Sequence, residues 1–199
     1  MNGESFFTLR TIKWENGVIV AIDQKQLPKR LRYVKIRSVE QLSEAIKNLT
    51  IRGAPAIGVA AALGLALVAY KSRAKSLSDF KREIAEAYEK LKSTRPTAVN
   101  LFWALDRVFK KVSEAKDLKE AKKSVVEEAK AIWMRDYEIN RQIGEYGATL
   151  LKDGDIVLTH CKWLKPAECG STSHYWIWNS TGSNKVGYSQ RFTHRSLCN

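Results

Sequence analysis

The fold is decided by the stretch Ile51-Arg-Gly-Ala-Pro-Ala-Ile-Gly-Val-Ala-Ala-Ala62. It begins at a break between two helical patterns, and Pro55 is well suited to the first turn of the helix that follows. That helix continues as an apolar run to about Tyr70. Its many Ala and Gly residues would let neighbouring helices approach closely. The sequence therefore predicts a buried central helix, and we expect no membrane span although the run is about long enough for one.

Upstream of this helix, the pattern predicts a small antiparallel sheet. A β-hairpin is indicated by a segment in which apolar and polar residues alternate, followed by the turn signal Asn16-Gly17 and an apolar segment. Ser38 followed three residues later by Gln41 is the pattern of a capped helix start. The predicted elements are strands within 6–14, 18–23 and 33–37, and a helix from Ser38 to about Lys47.

Downstream, the pattern is helical until about residue 151 and then changes. We predict helices at about 78–92, from Pro96 to about 112, and at about 118–151, the last one or two helices. A turn then precedes Ile156-Val-Leu-Thr-His-Cys161, which reads as a buried strand. The predicted fold class is an α+β N-terminal domain over 1–150, a small β-meander plus a helical bundle. The truncated start of a Rossmann-like α/β domain follows at 151–161.

The charge and the cysteines narrow the classes of function. The net charge of +13 invites a nucleic-acid ligand, but much of it lies in mixed-sign helical patterns such as 81–92, typical of a solvated face. Three cysteines, all beyond residue 160, argue against a disulfide framework and for a reducing compartment such as the cytoplasm. Cys161 and Cys169, with His160 and His174 nearby, match no common zinc spacing. We expect no metal, no cofactor and no nucleic acid.

Several motifs resemble those of one enzyme family. Residues 51–62 and the block Thr94-Arg-Pro-Thr-Ala-Val-Asn-Leu-Phe-Trp-Ala-Leu-Asp-Arg107 resemble the hallmarks of the methylthioribose-1-phosphate isomerases. Asp23-Gln24, Leu27-Pro28 and Thr159-His160-Cys161 stand in the order expected of that family. The resemblance covers about residues 8 to 161. Members of the same superfamily, ribose-1,5-bisphosphate isomerases and regulatory subunits of initiation factor two-B, are expected to differ after Arg-Gly-Ala.

The resemblance implies a reaction and a set of site residues. The family converts S-methyl-5-thio-α-D-ribose 1-phosphate to the corresponding ribulose 1-phosphate in methionine salvage, without a cofactor, as a homodimer formed through its second domain. Arg52, Gly53 and Ala54 would bind the phosphate or the sugar, Arg95 would clamp the phosphate, and Cys161 would exchange protons with an Asp farther along the family sequence. The residue types are also consistent with a phosphate site without the resemblance, because an uncapped helix N-terminus beside an Arg is suited to binding an anion.

The sequence departs from the family after Cys161. Residues 162–199 show neither helical nor strand periodicity, and Lys162-Trp-Leu-Lys-Pro-Ala167 stands where the family has Asn-Ala-Gly. Trp176-Ile-Trp-Asn-Ser-Thr-Gly-Ser-Asn can be encoded by codons that also contain a family segment. Read from the second base of the Trp176 codon, these codons give Gly-Tyr-Gly-Thr-Ala-Leu-Gly-Val-Ile. We hypothesise a frame-shifting insertion, with an intervening sequence, a sequencing error or a genuine tail as alternatives. We expect a poorly ordered tail and an inactive chain.

Two other classes of function remain open at this point. One is a non-catalytic interaction protein of the initiation-factor type, which would bind a translation factor or a nucleotide. Pro55 and Arg95-Pro96 argue against it. The other is a basic nucleic-acid-binding module, whose binding would weaken steeply with salt.

Overall fold

The computed structural model describes residues 10–27 and 29–150. Three antiparallel strands, paired in the order β1-β2-β3, form a meander. Asn16 and Gly17 connect the first two strands with φ values of 45° and 81°, the left-handed pair that a two-residue hairpin turn requires. The predicted hairpin and third strand are therefore confirmed. The strands are β1 (Ile12–Glu15), β2 (Val18–Ile22) and β3 (Tyr33–Ile36).

Five helices follow the sheet, so the mixed α and β architecture predicted for this part of the chain is confirmed. The last helix of the described residues is a single helix of 32 residues. The predicted strand at 156–161 and the tail at 162–199 lie outside the described residues. The helices are α1 (Val39–Lys47), α2 (Ala54–Lys71), α3 (Leu77–Lys92), α4 (Val99–Glu114) and α5 (Leu118–Thr149).

Helix α2 is the centre of the structure. The other four helices and the sheet all pack against it. In the described part of the chain it is the one helix with the length and apolar character of a membrane span, and 72% of it is buried inside the fold. Its apolar sequence is therefore accounted for by core packing, as the sequence predicted.

Two glycines of α2 mark close approaches of neighbouring elements. A Cβ atom at Gly58 would lie 2.8 Å from the backbone oxygen of Asn100 in α4. One at Gly64 would lie 2.6 Å from the side chain of Leu42 in α1 and 2.8 Å from that of Leu91 in α3. All these distances are shorter than ordinary van der Waals contact. The small residues of α2 thus allow the close packing that the sequence indicated.

The start of α4 differs from the prediction. The sequence placed Pro96 in its first turn, but Arg95 to Ala98 form a separate turn, in which the N–H of Ala98 donates to the carbonyl oxygen of Arg95 at 3.0 Å. Proline favours the second position of such a turn as well as the first turn of a helix. The N–H groups of Leu101 and Phe102 then both donate to Ala98, so the helix begins at Val99.

The sheet is attached to α5 by contacts between residues that lie at least 121 positions apart in the sequence. The indole Nε1 of Trp133 donates to the carbonyl oxygen of Ile12 at 2.9 Å. The guanidinium of Arg10 lies 4.2 Å from the ring centre of Tyr137 and 5.1 Å from that of Trp133, within the range of cation–π attraction. These contacts hold β1 against the middle of the long helix.

The close approach at Gly58 generates a stability prediction. Gly58→Ala should lower the free energy of unfolding by about 1–3 kcal/mol, because a backbone atom cannot move aside as a side chain can. Gly147→Ala in α5 is the matched control, since a Cβ atom there meets nothing within 4 Å among the described residues and alanine favours the helix. Thermal unfolding of both variants measures the difference. Equal melting temperatures would contradict the packing described here.

A second prediction concerns Asp136 on α5. Burial raises the pKa of this half-buried carboxyl from 3.8 to about 6, against the opposing effect of its hydrogen bond with Asn140. Because the folded state then binds its proton more tightly than the unfolded chain, stability should fall as the pH rises between those two values. Asp136→Asn should therefore be more stable than the wild type at pH 7–8, by on the order of 1 kcal/mol.

The same comparison at lower pH supplies the control. The stability advantage of Asp136→Asn should shrink as the pH falls through about 6 and vanish near 3.8, where the carboxyl is protonated in both states. Melting temperatures measured from pH 4 to pH 8 test this. An advantage that does not change with pH would show that burial of the charge is not its cause.

Candidate functional site

The loop between α1 and α2 is fixed by its own hydrogen bonds. The side-chain oxygen of Asn48 accepts from the N–H of Thr50 at 3.0 Å and from its hydroxyl at 2.7 Å. The N–H of Ile51 donates to the carbonyl oxygen of Ala45 at 2.9 Å. Leu49 adopts a φ of 65°, which is uncommon for a residue with a side chain. These bonds hold the backbone leading into Arg52.

Gly53 forms the N-cap of α2 without giving the helix a capping side chain. Its φ of 94° and ψ of 128° lie in a region that residues with a Cβ rarely adopt. Pro55 follows in the first turn and has no N–H. The N–H groups of Gly53, Ala54 and Ala56 have no acceptor among the described residues. The start of α2 therefore presents free donors at the positive end of the helix dipole.

Gln24 joins the end of the sheet to this loop. Its backbone N–H donates to the carbonyl oxygen of Thr50 at 3.1 Å, and its side-chain Nε2 donates to the carbonyl oxygen of Arg52 at 3.2 Å. In the sequence, Gln24 stands only in a family motif, and no role in the site was predicted for it. A long-range side-chain contact of this kind leaves no periodic signal in the sequence.

The turn at Arg95 leads into a second helix start of the same kind. Thr94, which is buried, closes the end of α3 by donating its hydroxyl to the carbonyl oxygen of Leu91 at 2.6 Å. After the turn, α4 begins at Val99 with Ala98 as N-cap and with no capping side chain. The N–H groups of Val99 and Asn100 have no acceptor within the described residues.

The other helices of the described chain are capped. Ser38 accepts from the N–H of Gln41 at the start of α1, and Ser76 accepts from the N–H of Asp79 at the start of α3. Asp117 accepts from the N–H of Glu120 at the start of α5. Capping of this kind is the usual way to satisfy the first N–H groups of a helix. The two helix starts that follow Arg52 and Arg95 are therefore the exceptions.

These two uncapped helix starts adjoin each other. The contact between Gly58 and Asn100 places the second residue of α4 one turn beyond the start of α2. The structure therefore brings two positive helix ends to one place, each preceded by an arginine that is half-buried. Free N–H donors and positive charge together are the requirements of an anion site.

Of the predicted site residues, four lie in this region. Arg52, Gly53 and Ala54 are consecutive at the start of α2, and Arg95 begins the turn before α4. Cys161 lies outside the described residues, as do the cysteines and histidines considered for zinc. Within 10–27 and 29–150 there is no group of three or more metal-binding side chains.

Comparison with known proteins agrees with the resemblance. The model of the initiation factor 2 subunit family matches residues 50–163, a segment that includes both helix starts and Cys161. A 5-deoxyribose 1-phosphate isomerase from Moorella thermoacetica is 49% identical over 152 residues, which are 75% of this chain and 43% of that protein. The chain thus spans less than half the length of this relative.

Two solved structures share the fold. The first is 5-methylthioribose 1-phosphate isomerase from Pyrococcus horikoshii, with 49% identity and a TM-score of 0.71 over 74% of this chain and 42% of that one. The second is translation initiation factor eIF-2B, subunit delta, from A. fulgidus, with 40% identity and a TM-score of 0.73 over 82% and 48%. The chain belongs to the initiation factor 2 subunit family, and its predicted resemblance to the methylthioribose-1-phosphate isomerases is confirmed.

Proposed function

We propose that this chain carries the phosphate-binding part of an aldose–ketose isomerase acting on S-methyl-5-thio-α-D-ribose 1-phosphate. The product would be S-methyl-5-thio-D-ribulose 1-phosphate, in methionine salvage. The observation that supports this most directly is the meeting of two uncapped helix starts, each preceded by an arginine. Neither helix start supplies its own acceptor, so an external anion is the partner that fits both.

The chemistry of a sugar 1-phosphate matches this arrangement. Its phosphate is an anion with several oxygens, which can accept hydrogen bonds from the N–H groups of Gly53, Ala54 and Ala56 together. Arg52 and Arg95 would add charge-assisted hydrogen bonds, which are about twice as strong as neutral ones. The phosphate would be fixed in this way while the sugar carbons react nearby.

The remaining chemistry is proposed for the part of the chain after α5. The isomerisation breaks the bond between C1 and the ring oxygen, which takes up a proton, and moves a hydrogen from C2 to C1 while the C2 hydroxyl loses its proton to become the carbonyl. These transfers need a pair of proton-exchanging groups. We assign one of these roles to Cys161, at the end of the predicted strand 156–161, in the segment 151–161 that would open a Rossmann-like catalytic domain. No cofactor is required, and the proposed setting is the cytoplasm, with homodimers formed through the second domain.

The similar proteins help to locate what this part of the site recognises. One of them is named for a 5-deoxyribose 1-phosphate and another for a 5-methylthioribose 1-phosphate. These substrates share the phosphate at C1 and differ at C5. We therefore propose that the helix starts of α2 and α4 recognise the shared phosphate and leave the choice of the C5 group to other residues. Ribose 1,5-bisphosphate, with a second phosphate at C5, is the alternative substrate.

A second candidate function has one observation in its support. The A. fulgidus structure named as an initiation factor subunit matches this chain with a TM-score of 0.73, as well as the isomerase structure does. A non-catalytic chain of that type would bind a translation factor or a nucleotide. The two functions predict different ligands for the same fold.

The proposed phosphate site predicts the effect of removing each arginine. Arg52→Ala and Arg95→Ala should each weaken the binding of inorganic phosphate by about tenfold or more, since a hydrogen bond to a charged group contributes about 1.5–3 kcal/mol. Isothermal titration calorimetry measures the affinity. Arg82→Ala is the matched control: it removes the same charge from an exposed, Asp79-paired position on α3. Equal losses in all three variants would mean that only net charge matters.

The choice between the two functions predicts a difference in thermal stabilisation. S-methyl-5-thioribose 1-phosphate at 100 times its dissociation constant should stabilise the chain by about 2.7 kcal/mol, a rise in melting temperature of about 5–10 °C. AMP and GDP at the same concentration should give much smaller shifts. The shift with the sugar phosphate should fall to about half or less in Arg95→Ala, because an affinity loss of about tenfold leaves the ligand at only about 10 times the dissociation constant of the variant. A larger shift with a nucleotide would favour the initiation-factor type of function instead.

A further inference from the structure

Gln24 is a buried polar residue that the proposed phosphate site does not yet use. It lies just beyond the end of β2, and 8% of it is exposed to solvent. Its Nε2 donates to the carbonyl oxygen of Arg52, whereas its Oε1 is fully buried and has no hydrogen-bonding partner among the described residues. A buried acceptor left without a partner lowers stability. The presence of an amide here therefore calls for a reason other than stability.

The two bonds of Gln24 continue the sheet pairing onto the loop before α2. Its backbone N–H reaches Thr50 at 3.1 Å and its side chain reaches Arg52 at 3.2 Å, two residues farther on. The side-chain amide thus takes the place of the next backbone N–H of a neighbouring strand. As a result, the carbonyl group of Arg52 is held towards the interior of the structure.

The direction of that carbonyl group determines the direction of the next N–H. A trans peptide is planar, so the carbonyl oxygen of Arg52 and the N–H of Gly53 point to opposite sides of the chain. Holding the oxygen on Gln24 turns the N–H of Gly53 away from the interior. That N–H has no acceptor within the described chain, like those of Ala54 and Ala56 in the turn that follows.

We infer that Gln24 is a positioning residue that fixes the Arg52–Gly53 peptide so that the N–H of Gly53 donates to the phosphoryl oxygens of the ligand. The inference rests on the proposed phosphate site and explains how one of its backbone donors is oriented. Gly53 is needed in this arrangement because its φ of 94° lets the chain turn directly from that peptide into α2. Gln24 itself does not touch the ligand.

The substitution Gln24→Met separates positioning from stability. Methionine has nearly the same length and no amide, so it removes both the bond to Arg52 and the unpartnered Oε1. The melting temperature should stay within a few degrees of the wild type, while the dissociation constant for inorganic phosphate should rise about five- to tenfold, the effect of one hydrogen bond. Ser43→Ala is the control, because it removes another buried oxygen without a partner in the described chain, on α1.

The amide signals of the wild type and the variant supply the second measurement. During a phosphate titration followed by nitrogen–proton NMR, the Gly53 amide should shift in the wild type and in Ser43→Ala. In Gln24→Met it should lose most of that shift, while the Ala54 and Ala56 amides still respond. A purely structural role for Gln24 would change all three amides together.

The outcomes distinguish this inference from the proposed function. If phosphate moves none of these amides in the wild type, the phosphate site itself is wrong and the inference falls with it. If the wild type responds and Gln24→Met responds equally, only the inference is overturned. A fall in melting temperature of more than about 10 °C in Gln24→Met, several kcal/mol for a chain of this size, would make Gln24 a stabilising core residue and would also overturn it.

Discussion

The close approach of α2 and α4 at Gly58 is the constraint on which the rest of the structure depends. A backbone oxygen of α4 occupies the space that any side chain at Gly58 would need. The same contact that closes the helical core therefore also brings the two helix starts together. Packing and the candidate site cannot be separated here, because moving α4 outward by the width of a methyl group would part the two positive helix ends. A single glycine serves both purposes.

The distribution of helix caps shows how this fold treats its polar backbone. Among the described residues, three helices begin with a Ser or Asp side chain that accepts a hydrogen bond from an N–H of the first turn, and two do not. An uncapped start usually reduces stability by about 1 kcal/mol. Random omission would scatter such starts over the surface, but here the two lie side by side and each follows an arginine. This arrangement supports the proposal that a phosphate binds there.

Prediction from the sequence succeeded for most helices and strands because each had a local cause. Asn16-Gly17 fixed the hairpin, and Ser38 fixed the start of α1. It failed at Pro96, where one residue type fits both a turn and a helix start, so the true start at Val99 was not readable. It could not give a role to Gln24 either, since that depends on a contact 28 residues away.

The candidate site divides in the same way between local and distant causes. The arginines and Gly53 were readable because they stand in short motifs at a helix break. What brings them together is tertiary: the contact of α2 with α4, and the bond between Gln24 and the carbonyl oxygen of Arg52. The two solved structures that share this fold are named for different functions, so the fold alone does not decide between them. Function must be decided by which ligand accepts hydrogen bonds from the N–H groups of the two helix starts, because an isomerase and a regulatory subunit would bind different ligands.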